Sequence, residues 1–184
     1  AYRRQRQMCI RDRHRQYEFP VSGIVSYKEL AEKMNVTTEN VVYGFEEHVS
    51  LPVQMFTSLG VEMTAAPVTA IKRVRVIDGE PDIIDKDYIL TSIVPKLPKA
   101  AAADSLYAYF EGELGLDIAY ATKEITMEPA NDEDREQLQL DAGAYVAVVR
   151  SVTSLADATP FQFTESRHRA DKFRFRDFAR RTKK

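Results

Sequence analysis

A chain of 184 residues with a formal net charge of −2 is long enough for one domain with a real buried core and short for two. Residues 1–15 hold six Arg and one Asp, and residues 167–184 hold nine basic side chains and two Asp, which leaves 11 basic against 25 acidic residues between them. A body at about −14 repels a phosphate backbone and argues against a protein that coats nucleic acid. With one cysteine, Cys9, no intramolecular disulfide is possible; no apolar run approaches the roughly 20 residues of a membrane span, and no secretory signal is visible. A soluble, cytoplasmic protein is expected.

The first thirteen residues, AYRRQRQMCIRDR, follow neither the helical nor the strand period. They look foreign to the rest, either a non-native segment or a disordered basic arm, so the domain is expected over residues 14–184. SYKELAEKM, Ser26–Met34, has a capping Ser with Glu29 three residues later and an apolar stripe, the pattern of a short amphipathic helix. YKELAEKMNVTTENVV also carries a faint helix-turn-helix pattern. Its recognition helix would hold Glu39, Glu46 and Glu47 and no Lys or Arg, an acidic face unsuited to DNA. NVVYGFEEHVSL and TAIKRVRVI read as strands, and DGEP, Asp78–Pro81, turns the latter into a second antiparallel strand, DIIDKDYIL. ADSLYAYFEGELG reads as one helix from an Asp104 or Ser105 cap to Gly115.

DIAYATKEITMEP alternates as a strand, NDEDREQLQL is a helix begun by acids, and AYVAVVRSVTSL and PFQFTESRHRA give two more strands. Strands outnumber helices without a regular strand–helix alternation, so the expected class is α+β, an antiparallel sheet flanked by helices. In the closing segment Phe173, Phe175 and Phe178 are expected to pack inward while Lys172, Arg174 and Arg176 stay solvated. Arg180–Lys184 reads as a frayed tail.

The strand period puts Arg73 and Arg75 on one face, roughly 7 Å apart. Two guanidiniums so placed either clamp one oxyanion, a phosphate or carboxylate, or make cross-strand ion pairs. Asp85 and Asp87 across the turn are either the partners in those pairs or acceptors for sugar hydroxyls. Ser105 begins a helix, where it caps or helps seat an anion, and Tyr107 faces solvent or a pocket. His14, His48 and His168 lack a metal-ligand spacing, and seven glycines leave no Gly-rich phosphate loop. No metal, cofactor or catalytic set is expected.

FPVSGIVSYKEL, RVRVIDGEPDIIDKDY, SLYAYFEGELGLDIAYATKEI, EPANDEDREQLQL and FQFTESRHRADKFRFRDFARR together resemble successive blocks of the UTRA effector-binding domain of GntR-type bacterial transcription regulators. The likeness covers about residues 17–181 and is greatest to the trehalose operon repressors. It implies the fold of chorismate lyase and a sensor that binds trehalose 6-phosphate as inducer, whereupon a homodimeric repressor leaves its operator. DNA would be read by an N-terminal winged helix-turn-helix, and this chain would start after it.

The resemblance also implies ligand-binding residues. The R-x-R-x-x-D-G block falls on Arg73, Arg75, Asp78 and Gly79; Ser22, Gly23 and Ser26 match a loop and helix start that wrap an anionic ligand; Ser105 and Tyr107 match contacts of the second helix. Asp85 stands where many relatives have Glu, Gln162 where many have an acid, and His168 near an aromatic position. Glu165 and Arg167, on the strand face of Phe161 and Phe163, either line the pocket or pair with each other. The alternatives are an enzyme of chorismate lyase type or a sensor for another small anion such as glucosamine 6-phosphate. A third, an autonomous nucleic-acid binder, would act through the terminal basic runs.

Overall fold

The structure, a computed structural model, describes residues 16–19, 23, 24, 27–176 and 178. The foreign-looking segment 1–13, Ser22, Ser26 and the tail from Arg180 lie outside these described residues. Six strands form one antiparallel sheet: β2 (Thr38–Ser50), β3 (Pro67–Ile77), β4 (Glu80–Leu90), β5 (Ile118–Pro129), β6 (Tyr145–Leu155) and β7 (Pro160–Arg169). Their order across the sheet is β2-β3-β4-β7-β6-β5. Two three-residue strands, β1 (Tyr17–Phe19) and β8 (Phe173–Phe175), pair in parallel beside it. The α+β class with an antiparallel sheet is thus as expected.

The hairpin between β3 and β4 is tighter than the four-residue turn read from the sequence. Asp78 (φ 49°) and Gly79 (φ 83°) alone make the turn, positive at both central residues as a type I′ turn requires. Asp78 tolerates the left-handed region, and its carboxylate accepts from the Thr37 amide at 3.0 Å, tying the start of β2 to the turn. Between this turn and the arginines a bulge at Asp82 shifts the register by one residue, so that Arg73 faces Asp85 and Arg75 faces Ile83.

Both faces of the sheet are covered. On one, helix α1 (Tyr27–Met34), helix α2 (Lys99–Ala103) and a π-helical turn over Ala108–Glu113 pack on Ile71, Ile77, Ile83, Ile89 and Phe161. On the other, a 3₁₀ helix over Val53–Leu59 and helix α3 (Asp132–Leu138) cover Val68, Val152 and Phe163, and Val74, Ile84, Val146 and Val148. Helix α3 starts as its acids suggested. Asn131 accepts from the Asp134 amide at 2.8 Å while Asp134 accepts from the Asn131 amide at 2.9 Å, a reciprocal cap.

Three sequence expectations are corrected. The helix expected from an Asp104 or Ser105 cap to Gly115 does start at Ser105, which accepts from the Ala108 amide at 3.3 Å, but it continues as a π-helical turn, and a further short helix, α2 over the Ala-rich Lys99–Ala103, precedes it beyond a break at Asp104. The π-helical continuation seats Phe110, fully buried, edge-on against Phe161 at 5.4 Å. Phe161 and Phe163 also do not share a face. Thr153 pairs with Gln162 and Ser154 with Pro160, so Phe161 is the extra residue of a bulge and turns toward the helices, while Phe163 packs on Phe56 at 5.5 Å on the far side.

In the closing segment the roles are partly exchanged. Lys172 is 3% exposed, with Nζ 2.5 Å from Glu80 and 3.9 Å from Asp82, whereas Phe175 and Phe178 are 48% and 81% exposed. Phe173 alone of the three packs inward, against the cluster of Tyr17, Ile77 and Ile83.

Phe56 is fully buried between Tyr88 and Phe163. Phe56→Ala is expected to cost about 3–5 kcal/mol by urea unfolding, because its lost contacts leave a cavity.

Candidate functional site

The helix-covered face encloses a cavity of about 200 Å³. Its floor is a patch of alternating strand positions: Arg73 and Arg75 on β3, Ile83, Asp85 and Asp87 on β4, Gln162, Thr164, Ser166 and His168 on β7, Val149, Ser151 and Thr153 on β6, and Lys123 on β5. The strand pairing aligns these positions, with Asp85 opposite Ser166 and Asp87 opposite Thr164. The walls are Gly23, Ile24, Tyr27, Lys28 and Leu30 on one side and Asp104–Tyr107 on the other.

Arg73 and Arg75 are buried and paired. Arg73 Nη2 donates to Asp87 at 2.5 Å and Arg75 Nε to Asp85 at 2.7 Å. Each pair runs diagonally, since the register neighbour of Arg73 is Asp85 and that of Arg75 is Ile83. The carboxylates are further held by β7: Gln162 Nε2 and Thr164 Oγ1 donate to Asp87 at 2.8 and 3.0 Å, and Ser166 Oγ donates to Asp85 at 2.5 Å. Of the two readings of the arginines, ion pairing therefore holds in this structure, on a buried floor rather than a solvated face.

The same guanidiniums position the wall. Arg73 Nη1 donates to the Ala102 carbonyl at 3.1 Å, and Arg75 Nη1 donates at 2.7 Å to Asn40, whose amide nitrogen donates to the carbonyls of Ala103 and Asp104. The break after α2 is thus pinned over the floor, which brings Ser105 and Tyr107 to the cavity. The Arg75 guanidinium also lies 4.3 Å from the Tyr27 ring centroid, a cation–π contact that docks α1.

Several polar atoms remain available. Arg73 Nε, Gln162 Oε1 and the Tyr27 hydroxyl are buried with no hydrogen-bond partner among the described residues. All three belong to residues that line the cavity, and such atoms are costly unless something bonds them. Four cations, Arg73, Arg75, Lys28 and Lys123, face three carboxylates, Asp85, Asp87 and Asp104, so the lining carries one positive charge in excess. Lys28 pairs with Asp104 at 3.0 Å, exposed at the rim, whereas Lys123 Nζ donates to the Gly23 carbonyl at 2.7 Å.

Protonation follows from this burial. Burial works to raise Asp85, but Arg75, Arg73 and the Ser166 hydroxyl override it and hold the carboxyl at about 2. Burial pushes His168 down to about 4 against a small opposing pull from Asp85, so the imidazole is neutral near pH 7. Burial likewise raises Tyr107 to about 12, keeping its hydroxyl a donor, and lowers Lys123.

The cavity brings together Arg73, Arg75, Asp85, Ser105, Tyr107, Gly23, Gln162 and His168 of the sequence-derived set. It does not include Glu165 or Arg167. Alternation from Ser166 sends both to the far face, where Arg167 is clamped in a two-bond fork by Asp134 of α3 at 2.8 Å and Glu165 accepts from Arg150 at 2.8 Å. They bind the helix that backs the sheet, and the pairing alternative wins over the pocket one, with α3 and β6 supplying most of the partners. Residues that the sequence reading missed are Tyr27, Asn40, Thr164, Ser166 and Lys123. Thr164 and Ser166 were legible, as they alternate with Gln162 and His168; nothing near Lys123 marked it.

A small, half-open cavity whose floor mixes charged pairs and hydroxyls is suited to a small polar ligand, the chemistry of a ligand-binding domain. The UTRA domain family matches residues 34–174, and the chain belongs to that family, the effector-binding, ligand-sensing domain of GntR-type transcription regulators and not an enzyme. It is 47% identical over 166 residues to the HTH-type transcriptional regulator TreR of Bacillus subtilis, spanning 90% of this chain and 69% of that protein. The HTH-type regulator GmuR of the same organism is 31% identical over 58% of this chain and 45% of its own length.

The solved effector-binding domain of the B. subtilis trehalose repressor TreR superposes with a TM-score of 0.66 at 46% identity, covering 79% of this chain and 99% of that one. PhnF of Mycobacterium smegmatis, 19% identical with a TM-score of 0.75 over 91% of this chain and 73% of its own, shares the fold. Among the described residues no helix is long and apolar enough to cross a membrane.

The Arg75–Asp85 pair sets an acid limit on the cavity. A carboxyl depressed from 3.8 to about 2 by folding contributes stability that is fully present above about pH 4 and is lost as pH falls toward 2, about 2 kcal/mol in all. Asp82, raised by burial to about 6, and His168, lowered to about 4, act mainly above that window. Urea midpoints measured from pH 5 to pH 2.5 are expected to fall more steeply for the unsubstituted chain than for Asp85→Asn.

Proposed function

We propose that this domain binds trehalose 6-phosphate as an inducer, so that a homodimeric full-length repressor of trehalose uptake and utilisation genes leaves its operator. Operator contact would lie in a winged helix-turn-helix N-terminal to this domain in the full regulator. The observation that carries the ligand class is the cavity: a buried arginine with an unpartnered Nε, a helix start capped by Ser105, and a net positive lining, all facing a floor of Asp, Gln, Thr and Ser acceptors and donors. The cations and the Ser105 turn suit a phosphoryl group, and the carboxylates and hydroxyls suit the alcohols of a sugar. The sugar itself is supported by the 47% identity to TreR.

The ion pairs do not defeat this reading. An arginine has five donor hydrogens, so Arg73 can keep Asp87 and Ala102 and still donate from Nε to an anion. The proposed ligand-binding set is Arg73, Arg75, Asp85, Ser105, Tyr107, Gly23, Gln162 and His168. Ser22 and Ser26 join it on the resemblance alone.

Thermal melts of the 184-residue chain with trehalose 6-phosphate, trehalose, glucose 6-phosphate and glucosamine 6-phosphate test the assignment. Trehalose 6-phosphate at a hundred times its Kd is expected to add about 2.7 kcal/mol of stability, and trehalose none. Preference for another sugar phosphate would refute the trehalose assignment, and no shift with any of the four would refute the sugar-phosphate reading. Ser105→Ala is expected to weaken the best ligand by about 1–2 kcal/mol through loss of a hydroxyl and a cap, measured by calorimetry.

A further inference from the structure

A second cavity of about 430 Å³ opens beside the first, sharing Gly23, Ile24, Tyr107 and Lys123 with it and bounded further by Glu29, Glu111 and Tyr120. We propose that this groove, between the π-helical turn and β5, is a second subsite that seats an uncharged sugar ring, with Glu111 as its specificity determinant. The inference rests on the sugar-phosphate reading above and says how the ligand lies.

Size is the first argument. Ligand sites commonly enclose roughly 300–1,000 Å³; the first cavity at about 200 Å³ falls below that range, while the two chambers together lie inside it. A ligand longer than one ring has room only if it crosses the shared wall at Tyr107 and Lys123.

Charge is the second. Arg73 and Arg75 line only the first chamber, whereas the second has two carboxylates, Glu29 and Glu111, against the one shared cation, Lys123. A phosphoryl group is drawn to the first and repelled from the second. A neutral ring has hydroxyls that carboxylates accept from, and exposed Glu111 is free of any need to be buried with a counter-ion. The partition therefore orients the ligand, phosphorylated end inward and plain end outward.

Surface character is the third. Tyr107 lines both chambers and offers its aromatic ring between them. Flat aromatic faces against the C–H faces of a ring, combined with carboxylates at its hydroxyls, are the contacts a sugar offers. The same groove gives a physical basis for separating a disaccharide phosphate from a monosaccharide phosphate, since only the former reaches it.

Calorimetry on the 184-residue chain with trehalose 6-phosphate and glucose 6-phosphate decides the matter. Glu111→Gln and Glu111→Ala, at an exposed position, are expected to lower the affinity for trehalose 6-phosphate about tenfold and to leave glucose 6-phosphate unchanged. Equal weakening of both ligands, or no change in either, overturns the subsite. Equal affinity of the unsubstituted chain for the two ligands also overturns it, because the second ring would then make no contact. Binding of neither ligand refutes the sugar-phosphate reading itself and takes this inference down with it.

Discussion

Two buried guanidinium–carboxylate pairs laid diagonally across β3 and β4, Arg73 with Asp87 and Arg75 with Asp85, are the constraint on which the rest of the cavity depends. Charges taken out of water are costly, and the cost is met only when the partners are close and their remaining bonding capacity is used. Here that capacity reaches in two directions. The carboxylates accept from Gln162, Thr164 and Ser166, which locks β7 to the floor. The guanidiniums reach up to Ala102 and, through Asn40, to Ala103 and Asp104, which locks the wall. Removing one partner would unpin both layers.

The far face of the sheet uses ions for another purpose. Asp134, fully buried, both caps α3 and clamps Arg167, while Glu165, Arg150, Glu128, Lys86 and Glu133 extend the network. Strand β7 contributes to both systems in alternation, with Ser166 to the cavity and Glu165 and Arg167 to the helix behind it. One strand thus couples the floor of the site to the backing of the sheet without any side chain serving both.

Much of this was legible. The strand period of RVRVI placed Arg73 and Arg75 on one face of β3, and that of DIIDKD placed Asp85 and Asp87 on one face of β4, because alternation is a local rule; that the two pairs meet depends on the bulge at Asp82. What the sequence hid depends on departures from regularity. The bulge at Phe161 separates it from Phe163, and no residue type in PFQF announces a bulge. The short helix α2 over Lys99–Ala103 was missed, because five residues are too few to show an apolar period. Lys172 looked solvated because charged terminal runs usually are, and its burial follows from Glu80 and Asp82, far away in sequence. Lys123 reaches Gly23 across the cavity, a contact between residues a hundred positions apart that no local pattern encodes.

The parallel pairing of β1 with β8 sets Tyr17 beside Phe173 and Phe19 beside Phe175, and Tyr17 is buried against Ile77 and Ile83. A strand near the start of the chain therefore has no partner until nearly all of the rest has been synthesised. During translation, the sheet from β2 to β7 can assemble while β1 waits, and the loop-closure entropy of joining it to β8 is met last. Whatever precedes residue 17 in a longer regulator is consequently made, and free to fold, before its attachment to the sensing domain is fastened.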